Sequence, residues 1–279
     1  ATSGVDLSAN VAITTGTGGV GDVDFGGAIE TDNGSRTLII DSGTGDVTFT
    51  GAIGLTNSLG GLNVNSTAGD GDGDIVFTED IGDTTAGVAG ITAVGNSSTN
   101  QIRFLENTYT FGTGATTFTT ASGDKIVLEK GAATTFKTTG TDISFAGGAI
   151  KLNNGSDLVV DTGATGGDIT ILEIAGSSLE TVNLDAGTGA TSVGVIGAGT
   201  EIGTLDIGSA QNGGITLNGA IIVDDAVTID GPVTLATTAV SVTTTNDNIS
   251  FNHSINGTQT LTLESGTGAI VLDLSLIHI

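Results

Sequence analysis

Cysteine, methionine and tryptophan are absent from this 279-residue chain, and proline and tyrosine occur once each. Without Cys there are no disulfides, thiolate metal ligands or thiol nucleophiles. Aromatic residues make up only 4% of the chain, so the composition predicts a core that is not built around large side chains. Positive charge is scarce as well: six Lys and Arg stand against 31 Asp and Glu, for a formal net charge of −25. So acidic a surface is repelled by nucleic-acid phosphates and anionic membranes, which leaves cations, divalent ones included, as the natural small partners. No run of about 18 apolar residues occurs, so no membrane-inserting helix is predicted. Helical i, i+3, i+4 periodicity is missing throughout.

What the chain has in abundance is glycine, 47 residues of it, together with Val, Ile, Leu and Ala interleaved with Thr and Ser. That is strand-forming material punctuated by residues that turn sharply. A short signature recurs: a small or polar residue, then Val or Ile, any residue, then Phe, Leu or Ile. It reads Asp22-Val23-Asp24-Phe25, Asp46-Val47-Thr48-Phe49, Asp74-Ile75-Val76-Phe77, Gln101-Ile102-Arg103-Phe104 and Lys125-Ile126-Val127-Leu128. It continues at Asp142–Phe145, Asp168–Ile171, Gly214–Leu217, Asn248–Phe251 and Ala269–Leu272. Its last position therefore falls at Phe25, Phe49, Phe77, Phe104, Leu128, Phe145 and Ile171 in the first seven copies, a near-regular spacing with one short step before Phe145. Gly-Thr-Gly, starting at 16, 43, 112, 187 and 266, gives spacings near one or three multiples of the same unit. The unit is about 25 residues and contains three short strands parted by Gly- and Asn-rich corners. Such a unit cannot bury its apolar face alone, so units must stack. The expected fold is all-β: a parallel β-helix (β-solenoid) of about eleven coils with three short strands per coil. A string of β-sandwiches would need a much longer repeat.

The sharpest local feature is Asp70-Gly71-Asp72-Gly73-Asp74. Asp alternating with Gly lets carboxylates converge as they do in oxygen-ligand calcium loops, with Glu79 and Asp80 one strand away to complete a shell. Asp70, Asp72 and Asp74 are therefore the candidate calcium ligands; a solvated acidic turn is the plain alternative, and no other cofactor is indicated. Asp22, Asp46, Asp74, Asp142 and Asp168 are expected in one column, accepting backbone N–H groups at turns. Catalytic equipment is sparse: His253 lies between Asn252 and Ser254 and reads as exposed, and no nucleophile elbow with a matching base stands out. The longest loop, from Gly82 to Asn100, carries Asp83 as its one acid, which argues against a cleft. The Thr clusters at 116–120 and 243–245 invite an ice-binding reading, but that needs a flat Thr-x-Thr array repeated in the same column of every coil, which they do not supply, and they read as strand-forming residues.

The last six residues, Leu274 to Ile279, resemble the translation of a sequencing adapter. The domain is accordingly 1–273, with 274–279 set apart as a non-native tail and the chain read as a metagenomic fragment; a final apolar strand is the alternative. The units Ser42–Gly54 and Leu261–Gly268 resemble the β-strand repeats of giant bacterial surface proteins of the haemagglutinin, autotransporter and large-adhesin type. That resemblance implies an extracellular or bacterial cell-surface location. It also implies a structural or adhesive role without catalysis, and a host, neighbouring-cell or matrix component as partner. Uncapped ends add the expectation of end-to-end self-association. The competing expectation is a polysaccharide-active β-helix, lyase or hydrolase.

Overall fold

The computed structural model describes residues 4–16, 21–66, 73–95, 100–121, 125–208, 213–237 and 239–273. The tail 274–279 lies outside them. The described residues form an all-β, parallel β-solenoid with three strands per coil and no helix. The first coil shows the plan: Val5–Leu7 on a first face, Val11–Thr14 on a second, Val23–Phe25 on a third. The chain then returns to the first face at Ile29–Thr31, in parallel register with Val5–Leu7.

Registration holds along the whole rod. On the first face one inward column runs Val5, Ile29, Ile53, Ile81, Tyr109, Phe136, Val160, Leu184, Ile207, Ile229, Phe251 and Leu272, each paired with the next. All but the two terminal members are buried. The coils are unequal in length: the steps along this column are widest from Ile53 to Phe136 and narrowest from Ile207 onward. At about 4.8 Å per coil the rod is about 50 Å long. Period-2 alternation explains the burial: in Thr37–Asp41 and Ile91–Gly95 every second side chain is inside.

The recurring signature does not belong to one face. Copies beginning at 22, 46, 74, 101 and 125 build the third face, and those at 142, 168 and 214 the second. The copies at 248 and 269 build the first. The short step in the spacing is where the signature changes face, from Leu128 to Phe145. Residues 82–100 are not one loop, because Ile91–Gly95 is a second-face strand paired with Gly61–Val64 and Thr116–Thr120.

Large side chains do fill much of the core, against the expectation from composition. Tyr109 and eight Phe residues are fully buried. Phe25, Phe49, Phe77 and Phe104 stack in register on the third face, with centroids 5.4, 5.0 and 5.3 Å apart. Aromatics then move to the other faces as Tyr109 and Phe136 on the first and Phe118 and Phe145 on the second, with Leu128 and Leu152 continuing the third. So few rings suffice because most of them meet another ring one coil on.

Candidate functional site

The repeated carboxylates have a definite structural use. At the entry to several strands an N–H falls outside the ladder and needs an acceptor. On the third face Oδ1 of Asp22 accepts the N–H of Asp46 at 3.0 Å, Asp46 that of Asp74 at 2.8 Å, and Asp74 that of Gln101 at 2.9 Å. On the second, Asp142 serves Asp168 at 2.9 Å and Asp168 serves Ala190 at 2.8 Å. On the first, Asp80 serves Thr108, Asp157 serves Thr181 and Asn248 serves Ala269. The Asp residues do accept backbone N–H groups as expected, but in separate columns and not one. Gly-Thr-Gly marks corners: Gly43, Gly187 and Gly266 sit at φ 60°, 55° and 56°, the left-handed region that suits glycine. Beside two of them, Ser42 and Ser265 donate to the carbonyls of Gly45 and Gly268, closing the turn.

Of the predicted calcium ligands, Asp70 and Asp72 lie outside the described residues, and Asp74 accepts the Gln101 amide. Among the described residues no group of three or more His, Asp or Glu is placed to hold a metal ion. Asp80 is half-buried, and desolvation holds its carboxyl above the usual range, with Glu106, Glu79 and Asp83 adding repulsion. His253 is half-exposed, its Nε2 lying 3.2 Å from Asp230 Oδ1. Asp206, nearby, is also pushed up, first by burial and then by Asp230 and Asp185. Buried Glu180 goes the other way. Desolvation raises its carboxyl, but the Ser177 hydroxyl and the amides of Ser177 and Ser178 donate to it and bring it below the usual range.

A different feature emerges only from the register. On the outer side of the second face one column reads Asn63, Thr92, Thr117, Ser144, Thr170, Ser192, Thr216, Thr234 and Asn256. Every member is at least partly exposed. Thr117 of the 116–120 cluster belongs to this column, but Thr119 pairs with Val94 and Ala146, so no Thr-x-Thr array repeats from coil to coil, as expected. The array is a single rank, since the next outward positions on five of these strands are Val94, Thr119, Ala146, Leu172 and Gly194.

Beside this column lies a groove of about 420 Å³. It sits where Ile169–Ala175 and Thr191–Ile196 run from the second face onto the third without a break, joining the two into one 20-stranded sheet. Thr170, Ser192 and Asn218 supply its polar groups, and Ala146, Ile171 and Leu172 its apolar ones. Leu172 is 53% exposed. Asn218 donates through Nδ2 to Ser192 Oγ at 3.0 Å and to the Val193 carbonyl at 3.3 Å. The bare backbone of Gly194 is required there, because a Cβ would fall 1.8 Å from the Leu172 carbonyl oxygen. The sequence does carry part of the signal. The variable middle residue of the signature is Ser144, Thr170 or Thr216 in every second-face copy, and Asp24, Thr48, Val76, Arg103 or Val127 on the third. No protein family, curated protein or solved structure matches this chain.

Proposed function

We propose that this chain is a structural and adhesive segment of an extracellular or bacterial cell-surface protein. The observation that carries the reading is the use of the repeated carboxylates as acceptors for the next coil's amides, coil after coil. Side chains engaged in this way build a continuous rod that holds surface groups at fixed spacing, which suits a stalk or a ligand-presenting shaft. The likeness of Ser42–Gly54 and Leu261–Gly268 to large adhesin repeats supports the same role. A polysaccharide lyase or hydrolase would need acid or base side chains flanking the scissile bond. The described groove is instead lined by Phe, Ala, Gly, Thr, Ile, Leu, Ser and Asn.

Two measurements test this role. Incubation with a panel of plant, algal and bacterial polysaccharides is expected to release no new reducing ends; release would overturn it in favour of an enzyme. Reading the parent gene on both sides is expected to show an export signal and a surface anchor or secretion domain, and a cytosolic enzyme domain in their place would also sink it.

A further inference from the structure

We infer that the groove formed by Thr170, Leu172, Ser192 and Asn218 binds a neutral, extended polysaccharide strand laid along the rod. The inference rests on the adhesive reading above and names the class of its partner. A sugar chain is amphipathic in a particular way: hydroxyls project from the ring edges, while the ring faces are C–H surface. The groove offers both, mostly apolar surface, led by Ala146 and exposed Leu172, with a narrow polar edge from Thr170, Ser192 and Asn218. Asn218 is fixed by its two donated bonds, which leaves its Oδ1 to accept and the Ser192 hydroxyl to donate toward a ligand.

Charge selects among sugars. The groove lining is uncharged and stands in a chain of net charge −25, so uronate and sulfate chains are repelled and neutral ones are not. Spacing adds reach. The hydroxyl and amide column continues beyond the groove to Asn63 on one side and Asn256 on the other, one group per coil at about 4.8 Å. Successive sugars of an extended strand can therefore meet successive coils, and weak contacts reinforce one another along the chain.

The test is a calorimetric titration of the whole chain with neutral hexasaccharides of β-linked glucose, mannose and xylose, and with a hexagalacturonate. Saturable binding of at least one neutral chain and none of the anionic one is expected. Replacing Ser192→Ala together with Asn218→Ala should weaken binding about tenfold, the loss of a net hydrogen bond or two. Leu172→Asp, an exposed change that leaves the core alone, should weaken it comparably; circular dichroism and the melting temperature confirm that both variants keep the fold. No binding of any neutral chain, equal binding of the hexagalacturonate, or affinities unmoved by either variant would overturn the inference. Its failure and that of the adhesive reading are separable. A surface-anchored rod silent to all three neutral sugars refutes the groove assignment alone. Cleavage of a bound hexasaccharide refutes the adhesive reading and leaves the ligand class standing.

Discussion

The stretch up to Lys151 and the stretch beyond it use the same three ladders but fill and decorate them differently. The first holds nine of the ten aromatic rings, eight of them fully buried, and all six Lys and Arg, from Arg36 to Lys151. Four of these cations sit in ion pairs, Arg36 with Asp32, Arg103 with Glu129, Lys130 with Glu106 and Lys137 with Asp161. Beyond Lys151 there is no Lys or Arg among 14 Asp and Glu, and among the described residues the apolar core is Val, Ile and Leu with Ala186 until Phe251. The coils shorten in parallel, the first-face step from Ile53 to Ile81 being longer than that from Phe251 to Leu272. Main-chain pairing and the Asx caps therefore fix the architecture, and core composition is free to vary as long as each coil is filled. Coil four sets Phe104 with the small Ala93, whereas coil eight manages with Leu184, Val193 and Ile196.

The sharpest way to break this comparison is Phe104→Ala. Phe104 meets Phe77, Tyr109, Phe118 and Phe136 at 4.7–5.3 Å, so its loss should cost about 3–5 kcal/mol. Ile229→Val in the aliphatic part should cost only about 0.5–1.5 kcal/mol. Because repeats couple chiefly to their neighbours, hydrogen exchange should rise around coils three to six in the first variant and stay unchanged near the far end. Uniform loss of protection would show that the two parts melt as one body. Next come the close backbone contacts, one in each part: a Cβ on Gly73 would lie 2.0 Å from the Gly45 oxygen, and one on Gly213 1.7 Å from that of Gly189. Either Gly→Ala change should cost about 1–3 kcal/mol in a urea melt. Equal costs would confirm that stacking geometry, unlike core filling, is common to both parts.

Smaller effects follow for the caps. Asp46→Ala strands the Asp74 amide and should cost about 1 kcal/mol, with Asp46→Asn restoring most of it, since an amide oxygen accepts equally well. If Asn fails to rescue, charge and not hydrogen bonding is what Asp46 supplies. The smallest concerns Asp206, whose carboxyl is raised in the fold. A raised folded value means that ionisation opposes folding, so Asp206→Asn should lift the melting temperature at neutral pH, on the order of 1 °C. The gain should disappear as pH falls through the raised folded value and the native carboxyl takes up its proton. No gain at pH 7 would remove electrostatic strain from the description of the cation-free part.

Much of the fold was legible in the residues themselves. Alternation in stretches such as Leu62-Asn63-Val64 gave strands, Gly and Asn gave corners, and the recurring signature gave stacked coils of three strands. Aromatic content misled because a percentage says nothing of placement: few rings, stacked in register, serve as a core. The groove was legible only in part: Thr170 holds the middle position of a signature copy, but Ser192 and Asn218 stand outside any copy, and the three sit a coil apart until parallel pairing joins them.

The sequence alone decided that this chain is all-β, coiled, acidic and built without disulfides, since period-2 alternation, glycine corners and charge are properties of local residues. Which of three faces each strand joins was decided only in the tertiary structure. The Val-x-Phe signature satisfies the same requirement, one side chain out between two in, on every face, and coils of unequal length defeat counting. The outward hydroxyl column and its groove exist only through that register, because nine residues from Asn63 to Asn256 become neighbours solely by parallel pairing across coils.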